Sequence, residues 1–376
     1  MKILYGIQGT GNGHMSRANA IVPRLSEYAE VDILVSGHSS EIKSGFPVKF
    51  QYPGLGFSFG KNGGINYWQS LVRSKPAQFI KDIRKLPVQS YDFIITDFEP
   101  VTAWAARLSG TPCIGVSHQA SFLSQKTPRP RSTQWFGETL FQWYAPVDTA
   151  IGFHYQPYDY SILTPVIRDE VRSLNPSDEG HVTIYLPAYS PDRLLPHLQK
   201  LGLPVHLFTK HEHQARTAGN IRIMPVNSEG YLRSLESCTA LVCGAGFESP
   251  SEGLFLGKRM LCIPMKQQYE QHCNAAALQQ MGIAVHPKVD DGFTAELQQL
   301  LERPAPEPLC YPDVLTEVCD TVFSLYSNFE VIRLCSMNQY AADNRLLSMP
   351  KPDFSSENSH TPDFSFGITD QPAVNS

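Results

Sequence analysis

Two stretches of the chain share one layout, in which a short apolar strand runs into a glycine-containing turn and then into a helix. The strands are expected at residues 2–7 and 240–243. Around both, short apolar runs alternate with segments whose apolar residues recur at helical spacing. Strands that alternate with helices form βαβ units, and their parallel sheets carry helices on both faces. The sequence therefore predicts an α/β fold with two doubly wound, Rossmann-like domains.

The length of the chain also favours two domains. Its 376 residues are more than one hydrophobic core usually serves. Prolines interrupt the pattern between 151 and 179, so we place the boundary there, and the polar end of the chain is expected to be disordered. The expected parts are an N-terminal domain at 1–155, a second domain at 156–309, helices at 310–347 and a tail at 348–376. One option for the helices at 310–347 is that they return to the first domain.

Composition excludes several classes of protein. The net charge of −5 gives no overall positive field that would attract nucleic acid. The sequence has no run of about 18 apolar residues, so no membrane span is predicted. The N-terminus does not resemble a signal peptide, because its apolar run is short and leads into glycines. The eight cysteines form no CxxC pair. We expect buried, reduced thiols in a cytoplasmic protein rather than disulfides or a zinc site, above all at Cys113, Cys238, Cys243 and Cys262.

The second glycine turn is predicted to bind a nucleotide. It contains Gly244, Ala245, Gly246 and Phe247, and a helix is expected to start at Ser249 or Pro250. The first N–H groups of a helix lack partners, so such a turn favours a phosphate. One turn further on, the carboxylate of Glu252 could accept both hydroxyls of a ribose.

Other polar residues of the second half could contact a sugar or phosphate. We expect Glu270 and Gln271 in a loop after Pro264 and Asn274 at the start of a helix, where they could hold sugar hydroxyls. The alternative is an ordinary polar helix entry. Ser190 follows the first strand of the second domain and could touch a phosphate.

The first glycine turn, Gly9-Thr10-Gly11-Asn12-Gly13-His14, could bring backbone close to a phosphate or sugar. It matches neither the dinucleotide fingerprint nor a P-loop, and a turn that needs positive φ is the alternative. His14 would lie at the carboxyl edge of the sheet, where a histidine can act as general base. Asp97, after the strand 93–96, could orient it. Asp97 could instead cap the next helix, and Glu99 is the competing carboxylate.

Further histidines and aromatic residues have more than one interpretation each. His118 could line the acceptor side or be a satisfied loop histidine. His206, His211 and His213 lack acidic or thiolate neighbours, so a solvated loop is expected rather than a metal site. A group of aromatic residues in the first domain could face lipid, stack on a sugar or simply pack its loops. It comprises Tyr52, Phe57, Phe59, Tyr67, Trp68, Trp135, Phe136, Phe141, Trp143 and Tyr144.

These motifs resemble those of two-domain glycosyltransferases of the B fold. The resemblance includes the UDP-glycosyltransferases and the N-acetylglucosaminyltransferase of peptidoglycan lipid-intermediate synthesis. It rests on Gly246, Ser249 and Glu252, on the run from Glu270-Gln271 to Asn274-Ala275, and on the turn that ends in His14. The plant-type signature has a phosphate-binding histidine where this chain has Gly244. Where the family often has Gly-x-Pro, the chain has Gly257-Lys258-Arg259.

The resemblance implies an inverting, metal-independent transfer from a nucleotide-sugar, with UDP as the expected nucleotide, across a cleft between the domains. His14 would be the base and Asp97 its orienting acid. Ser249 would contact the diphosphate, Glu252 the ribose, and Gly11 to Gly13 would close from the other domain. No cofactor or metal is implied. The acceptor is a hydroxyl compound, with lipid-linked molecules and glycans as options, and peripheral contact with the inner face of a membrane is one option within the cell envelope. The alternatives are a nucleotide-sugar 2-epimerase and a non-catalytic nucleotide-sugar-binding protein.

Overall fold

The computed structural model describes residues 1–37, 44–55, 76–132 and 134–347, with side chains to residue 331. Residues 1–329 form one compact unit, and the chain from Glu330 onward forms another. The contacts given below belong to the first unit. Phe57, Phe59, Tyr67, Trp68 and the tail expected at 348–376 lie outside the described residues.

The first sheet has seven parallel strands in the order β3-β2-β1-β4-β5-β6-β7. Its strands are β1 (Lys2–Gln8), β2 (Glu30–Ser36), β3 (Phe50–Tyr52), β4 (Phe93–Asp97), β5 (Cys113–Ser117), β6 (Thr149–Phe153) and β7 (Ile162–Leu163). The helices among the described residues of this part are α1 (Asn12–Ser26), α2 (Pro76–Lys85), α3 (Pro100–Ser109) and α4 (Trp135–Trp143). The strand order reverses between β1 and β4, and open α/β sheets bind ligands at such a point.

The second sheet also has seven strands, in the order β10-β11-β9-β8-β12-β13-β14, and only the β10–β11 pair among them is antiparallel. Its strands are β8 (Val182–Tyr185), β9 (Val205–Thr209), β10 (Arg216–Ala218), β11 (Ile221–Pro225), β12 (Ala240–Gly244), β13 (Arg259–Ile263) and β14 (Ala284–Val285). The helices from the linker onward are α5 (Asp169–Arg172), α6 (Pro191–Leu198), α7 (Ser228–Ser237), α8 (Glu248–Phe255), α9 (Tyr269–Gln280), α10 (Asp291–Glu302) and α11 (Leu315–Leu347). Two parallel sheets with helices confirm the predicted fold class.

Each sheet is buried on both faces. Successive side chains of a strand point to opposite faces, and helices cover both of them. In β1, Ile3 and Tyr5 belong to the same apolar cluster as residues of α1, whereas Leu4 belongs to the cluster of α2 and α3. The chain returns to the first sheet after the second. In α11 the ring of Tyr326 stacks on Phe93 of β4 at 4.6 Å between centroids.

Several predicted element types and bounds are wrong. Glu270 and Gln271 lie in the first turn of α9 rather than in a loop, and Asn274 lies inside that helix rather than at its start. The segment is buried on several sides and therefore shows no amphipathic period. His206 lies in β9 and not in a loop. A proline-rich segment separates α10 from α11, because proline cannot donate a helical hydrogen bond.

Within the described residues, none of the helices has the combination of length and hydropathy that crossing a bilayer requires.

Candidate active site

His14 and Asp97 meet at the switch point of the first sheet. His14 lies in the first turn of α1, and Asp97 is the last residue of the neighbouring strand β4. His14 Nδ1 is 2.9 Å from Asp97 Oδ1, and the Asp97 side chain is fully buried. A carboxylate at Nδ1 favours the tautomer that carries its proton there. Nε2 then keeps the lone pair that a general base needs.

Arg17 holds the other side of the same carboxylate. Its Nε donates to Asp97 Oδ2 at 3.1 Å, and its Nη2 donates to Oδ1 at 2.8 Å. Burial favours the neutral acid, but Arg17 and His14 outweigh it and bring the pKa of Asp97 below its usual range. Sequence reasoning missed Arg17. The signal was its spacing of three from His14, which places both side chains on one face of α1.

Glu99 has a different task from Asp97. Its carboxylate accepts from the backbone N–H groups of Val101 at 2.7 Å and Thr102 at 2.6 Å, so it caps α3. Between the two acids, Phe98 has a φ of 54°, the only positive value at a non-glycine residue within the described chain. This left-handed residue changes the direction of the chain directly after the strand. The structure thus pairs His14 with Asp97 and assigns the helix cap to Glu99.

A cleft with about 570 Å³ of empty space lies between the starts of α1 and α8. Both helix starts contribute to it, α1 through Asn12, Gly13 and Ser16 and α8 through Glu248, Ser249 and Glu252. The lining also includes Arg168, Tyr185, Val226, Asn227, Ser228 and Tyr231. The predicted nucleotide residues Ser249 and Glu252 therefore face the predicted phosphate-approaching residues Asn12 and Gly13.

The glycines of the two turns have different physical roles. Gly11 has a φ of 117°, which L side chains rarely adopt. Gly13 permits a close approach of α8, since a Cβ there would lie 3.0 Å from Cγ of Glu248 and would require that side chain to shift. Gly246 has no positive φ, and a Cβ there would meet its nearest neighbour, Gln271 Nε2, at 4.0 Å.

Two ion pairs connect α8 with other parts of the chain. Arg17 Nη1 donates to Glu248 Oε1 at 2.7 Å, which joins α1 to α8. Arg168, in the linker, donates from Nε to Glu252 Oε1 at 3.0 Å and also from Nη2 to the same oxygen. Burial raises the pKa of the Glu252 carboxyl above its usual value in spite of Arg168. Neither Arg168 nor Glu248 was predicted, since no local motif marks them.

The residues predicted to hold a sugar make contacts with protein atoms. Gln271 Oε1 accepts from Met265 N at 2.9 Å, and Glu270 Oε2 accepts from Gln119 Nε2 at 3.1 Å. Asn274 is fully buried, and its Nδ2 donates to Ala245 O at 3.1 Å. Their role in sugar binding stays a prediction.

His118 lies between the two sheet edges. Its Nε2 is 2.8 Å from Asn274 Oδ1, and its ring stacks on Phe247 at 4.0 Å. Ser190 precedes α6 and does not line the cleft. His206 Nδ1 is 2.9 Å from Ser234 Oγ, whereas His211 and His213 are exposed. Across the described ranges, no group of three or more His, Cys, Asp or Glu side chains is placed to hold a metal ion.

Solved structures with a similar architecture include glycosyltransferases. MurG of Acinetobacter baumannii has 15% identity and a TM-score of 0.54, over 86% of this chain and 99% of that one. UGT89C1 of Arabidopsis thaliana, solved with UDP, has 14% identity and a TM-score of 0.53, over 85% and 94%. UGT2 of Phytolacca americana, solved with UDP-2fluoro-glucose and pterostilbene, has 13% identity and a TM-score of 0.52, over 80% and 90%. At these identities the likeness establishes the fold.

The family follows from the sequence. No curated protein matches the chain. The model of glycosyl transferase family 1 matches residues 1–304, which include both glycine turns, His14, Asp97 and the segment from Gly244 to Asn274. The predicted resemblance is confirmed, and the chain belongs to glycosyl transferase family 1 and is a glycosyltransferase of the B fold.

Proposed function

We propose that this glycosyltransferase moves a sugar from a UDP-linked donor to a hydroxyl acceptor, with inversion and without a metal ion. The observation that carries the proposal is the His14–Asp97 pair at the start of α1, together with the cleft that this helix start shares with the start of α8. Two proteins of the same fold were solved with UDP or a UDP-sugar analogue, which supports UDP as the nucleotide.

In the proposed reaction, His14 Nε2 removes the proton of the acceptor hydroxyl as that oxygen attacks the anomeric carbon. The new carbon–oxygen bond forms on the face opposite the diphosphate. The bond from the anomeric carbon to the diphosphate oxygen breaks, and that oxygen keeps the electron pair. Attack from the opposite face inverts the configuration. Asp97 stays ionised and stabilises the imidazolium that forms.

The second domain would hold the donor. Backbone N–H groups at the start of α8, with Ser249, face the position proposed for the diphosphate, and the helix dipole favours the negative charge that develops there. Glu252 would accept the ribose hydroxyls while Arg168 fixes its carboxylate. Fixed dipoles of this kind can replace a metal ion, so turnover is expected to persist in excess EDTA.

The decisive experiment replaces His14 by alanine. A panel of nucleotide-sugars in a thermal-shift assay first identifies the donor. His14→Ala is then expected to lower turnover by about 10²- to 10⁴-fold, because general-base catalysis contributes that much, while UDP affinity is retained.

His213→Ala is the matched control, since His213 is exposed and lies outside the cleft. Near-normal turnover of His14→Ala would refute the assignment of the base. Conversion of UDP-GlcNAc without any acceptor would support an epimerase, and tight binding without turnover on any acceptor would support a sensor.

We also propose that α4 contacts a membrane surface, which suits a lipid-linked acceptor. Gly137 and Phe141 form its buried face, and Trp135, Phe136 and Trp143 are exposed on the other. Tryptophan favours the interface between lipid and water. Replacement of Trp135 and Trp143 together by alanine is expected to weaken co-sedimentation with anionic vesicles and leave melting temperature nearly unchanged. Unaltered co-sedimentation would contradict the proposed contact.

A further inference from the structure

Glu248 stands between the two helix starts. It is the first residue of α8, and its Cγ lies 3.0 Å from the position that a Cβ on Gly13 of α1 would take. Its Oε1 accepts from Arg17 Nη1 at 2.7 Å, and 23% of its side chain is exposed. It lines the cleft beside Ser249 and Glu252. A carboxylate therefore occupies the region in which the diphosphate of a donor is proposed to bind.

The charged groups around Glu248 would not neutralise the negative charge of a diphosphate. Two guanidinium groups lie near it, those of Arg17 and Arg168, and two further carboxylates, those of Asp97 and Glu252. His14 lies beyond Arg17, with its Nδ1 3.3 Å from Arg17 Nη2. If all three acids are ionised, two positive and three negative groups give a net charge of −1, before His14 is counted.

A diphosphate adds two or more negative charges to this cluster. The two helix starts offset about half a charge each. A proton on one carboxylate would remove a repulsion and supply a hydrogen-bond donor in the same place.

The geometry selects which of the three acids takes the proton. Asp97 is bound by two Arg17 nitrogens and by His14, and these groups keep its pKa low. Glu252 receives two N–H groups of Arg168. Glu248 receives one N–H from an arginine that it shares with Asp97. Burial raises the pKa of Glu248 to about 7, although Arg17 opposes the shift.

We propose that Glu248 takes up a proton when the nucleotide diphosphate binds and then donates a hydrogen bond to the diphosphate. This inference rests on the proposed function, because it requires the donor in this cleft. When the bond to the anomeric carbon breaks, the diphosphate oxygen keeps the electron pair, and the hydrogen bond from Glu248 strengthens as charge develops there. The proton remains on Glu248 and returns to solvent when UDP leaves. Arg17 keeps its two bonds to Asp97 throughout.

The test measures proton uptake by calorimetry of UDP binding at pH 8 in two buffers of different ionisation enthalpy. The terminal phosphate of UDP is then ionised, since its second pKa is about 6. The wild type is expected to take up about one proton per UDP, and its affinity should fall about tenfold per pH unit above pH 8. Glu248→Gln should bind UDP at pH 8 at least as tightly, without that uptake and without that slope.

Two further variants locate the proton. Glu27→Gln alters an exposed acid paired with Arg24 near the end of α1 and should behave as the wild type. Glu252→Gln should retain the uptake. Uptake that persists in Glu248→Gln and disappears in Glu252→Gln would overturn the inference.

The same experiment distinguishes the two proposals. If UDP binds to the wild type without net proton uptake, the inference about Glu248 fails and the donor site stands. If no nucleoside diphosphate binds to the wild type, the proposed function fails and the inference fails with it. The wild-type measurement is sufficient for this decision even if Glu248→Gln does not fold.

Discussion

The β1–α1 and β12–α8 units have the same backbone plan and different first turns. In both, the strand leads into a glycine turn, and the residue before the helix makes no side-chain capping bond. The first turn of α1 has no acidic residue and carries His14, whose ring is held by Asp97. The first turn of α8 carries Glu248 and borders the cleft. The same backbone plan therefore holds a histidine against a carboxylate in one unit and, in the other, borders the cleft in which we propose that the diphosphate binds.

The largest effect that tests this comparison is expected for Asp97→Asn. The amide would favour the wrong tautomer of His14 and remove one of the two carboxylates that pair with Arg17. We expect turnover to fall by about 10³- to 10⁴-fold, in line with a comparable change in a serine protease triad. Loss of one partner of a buried ion pair should lower the free energy of unfolding by about 3–5 kcal/mol. Steady-state kinetics and urea unfolding measure the two effects.

Glu99→Gln is the matched control on the same segment. It weakens the cap of α3, which costs about 0.5–2 kcal/mol of stability, and should leave turnover nearly unchanged. If the two variants lost turnover equally, Asp97 would have no special role in orienting His14.

Arg17→Lys is expected to have an intermediate effect. Lysine keeps the charge and loses the fork that binds both oxygens of Asp97. The loss of a charged hydrogen bond corresponds to about 1.5–3 kcal/mol, or roughly 10- to 150-fold in kcat. Because Arg17 acts through His14 and Asp97, kcat should fall while KM for the donor changes little. A change confined to KM would place Arg17 with the donor instead.

The smallest effect is expected for the glycine turns. Gly11→Ala should lower the free energy of unfolding by about 1–3 kcal/mol, because its φ of 117° is strained for alanine although nothing lies within 4 Å of the new Cβ. Gly246→Ala should change stability by less than about 0.5 kcal/mol. Thermal or urea unfolding of both proteins measures the difference, and equal losses would mean that backbone strain does not distinguish the two turns.

The regular elements were predictable where local signals agree. The strand at 113–117 and the helix at 100–109 have clear local signals: an apolar run marks the strand, and a proline at the start and a glycine at the end mark the helix. The helix at 269–280 was not predicted correctly, since its buried polar residues hide the helical period.

The sequence by itself determined the two α/β units, their glycine turns and the family, because strand and helix periods and short motifs are local properties of the chain. Only the tertiary structure decided that Asp97 rather than Glu99 reaches His14, and that Arg17 joins Asp97 to Glu248 across 231 positions. The physical reason is that a hydrogen bond depends on the positions of two atoms in space. Sequence spacing fixes those positions within one helix or strand and does not fix them between two sheets.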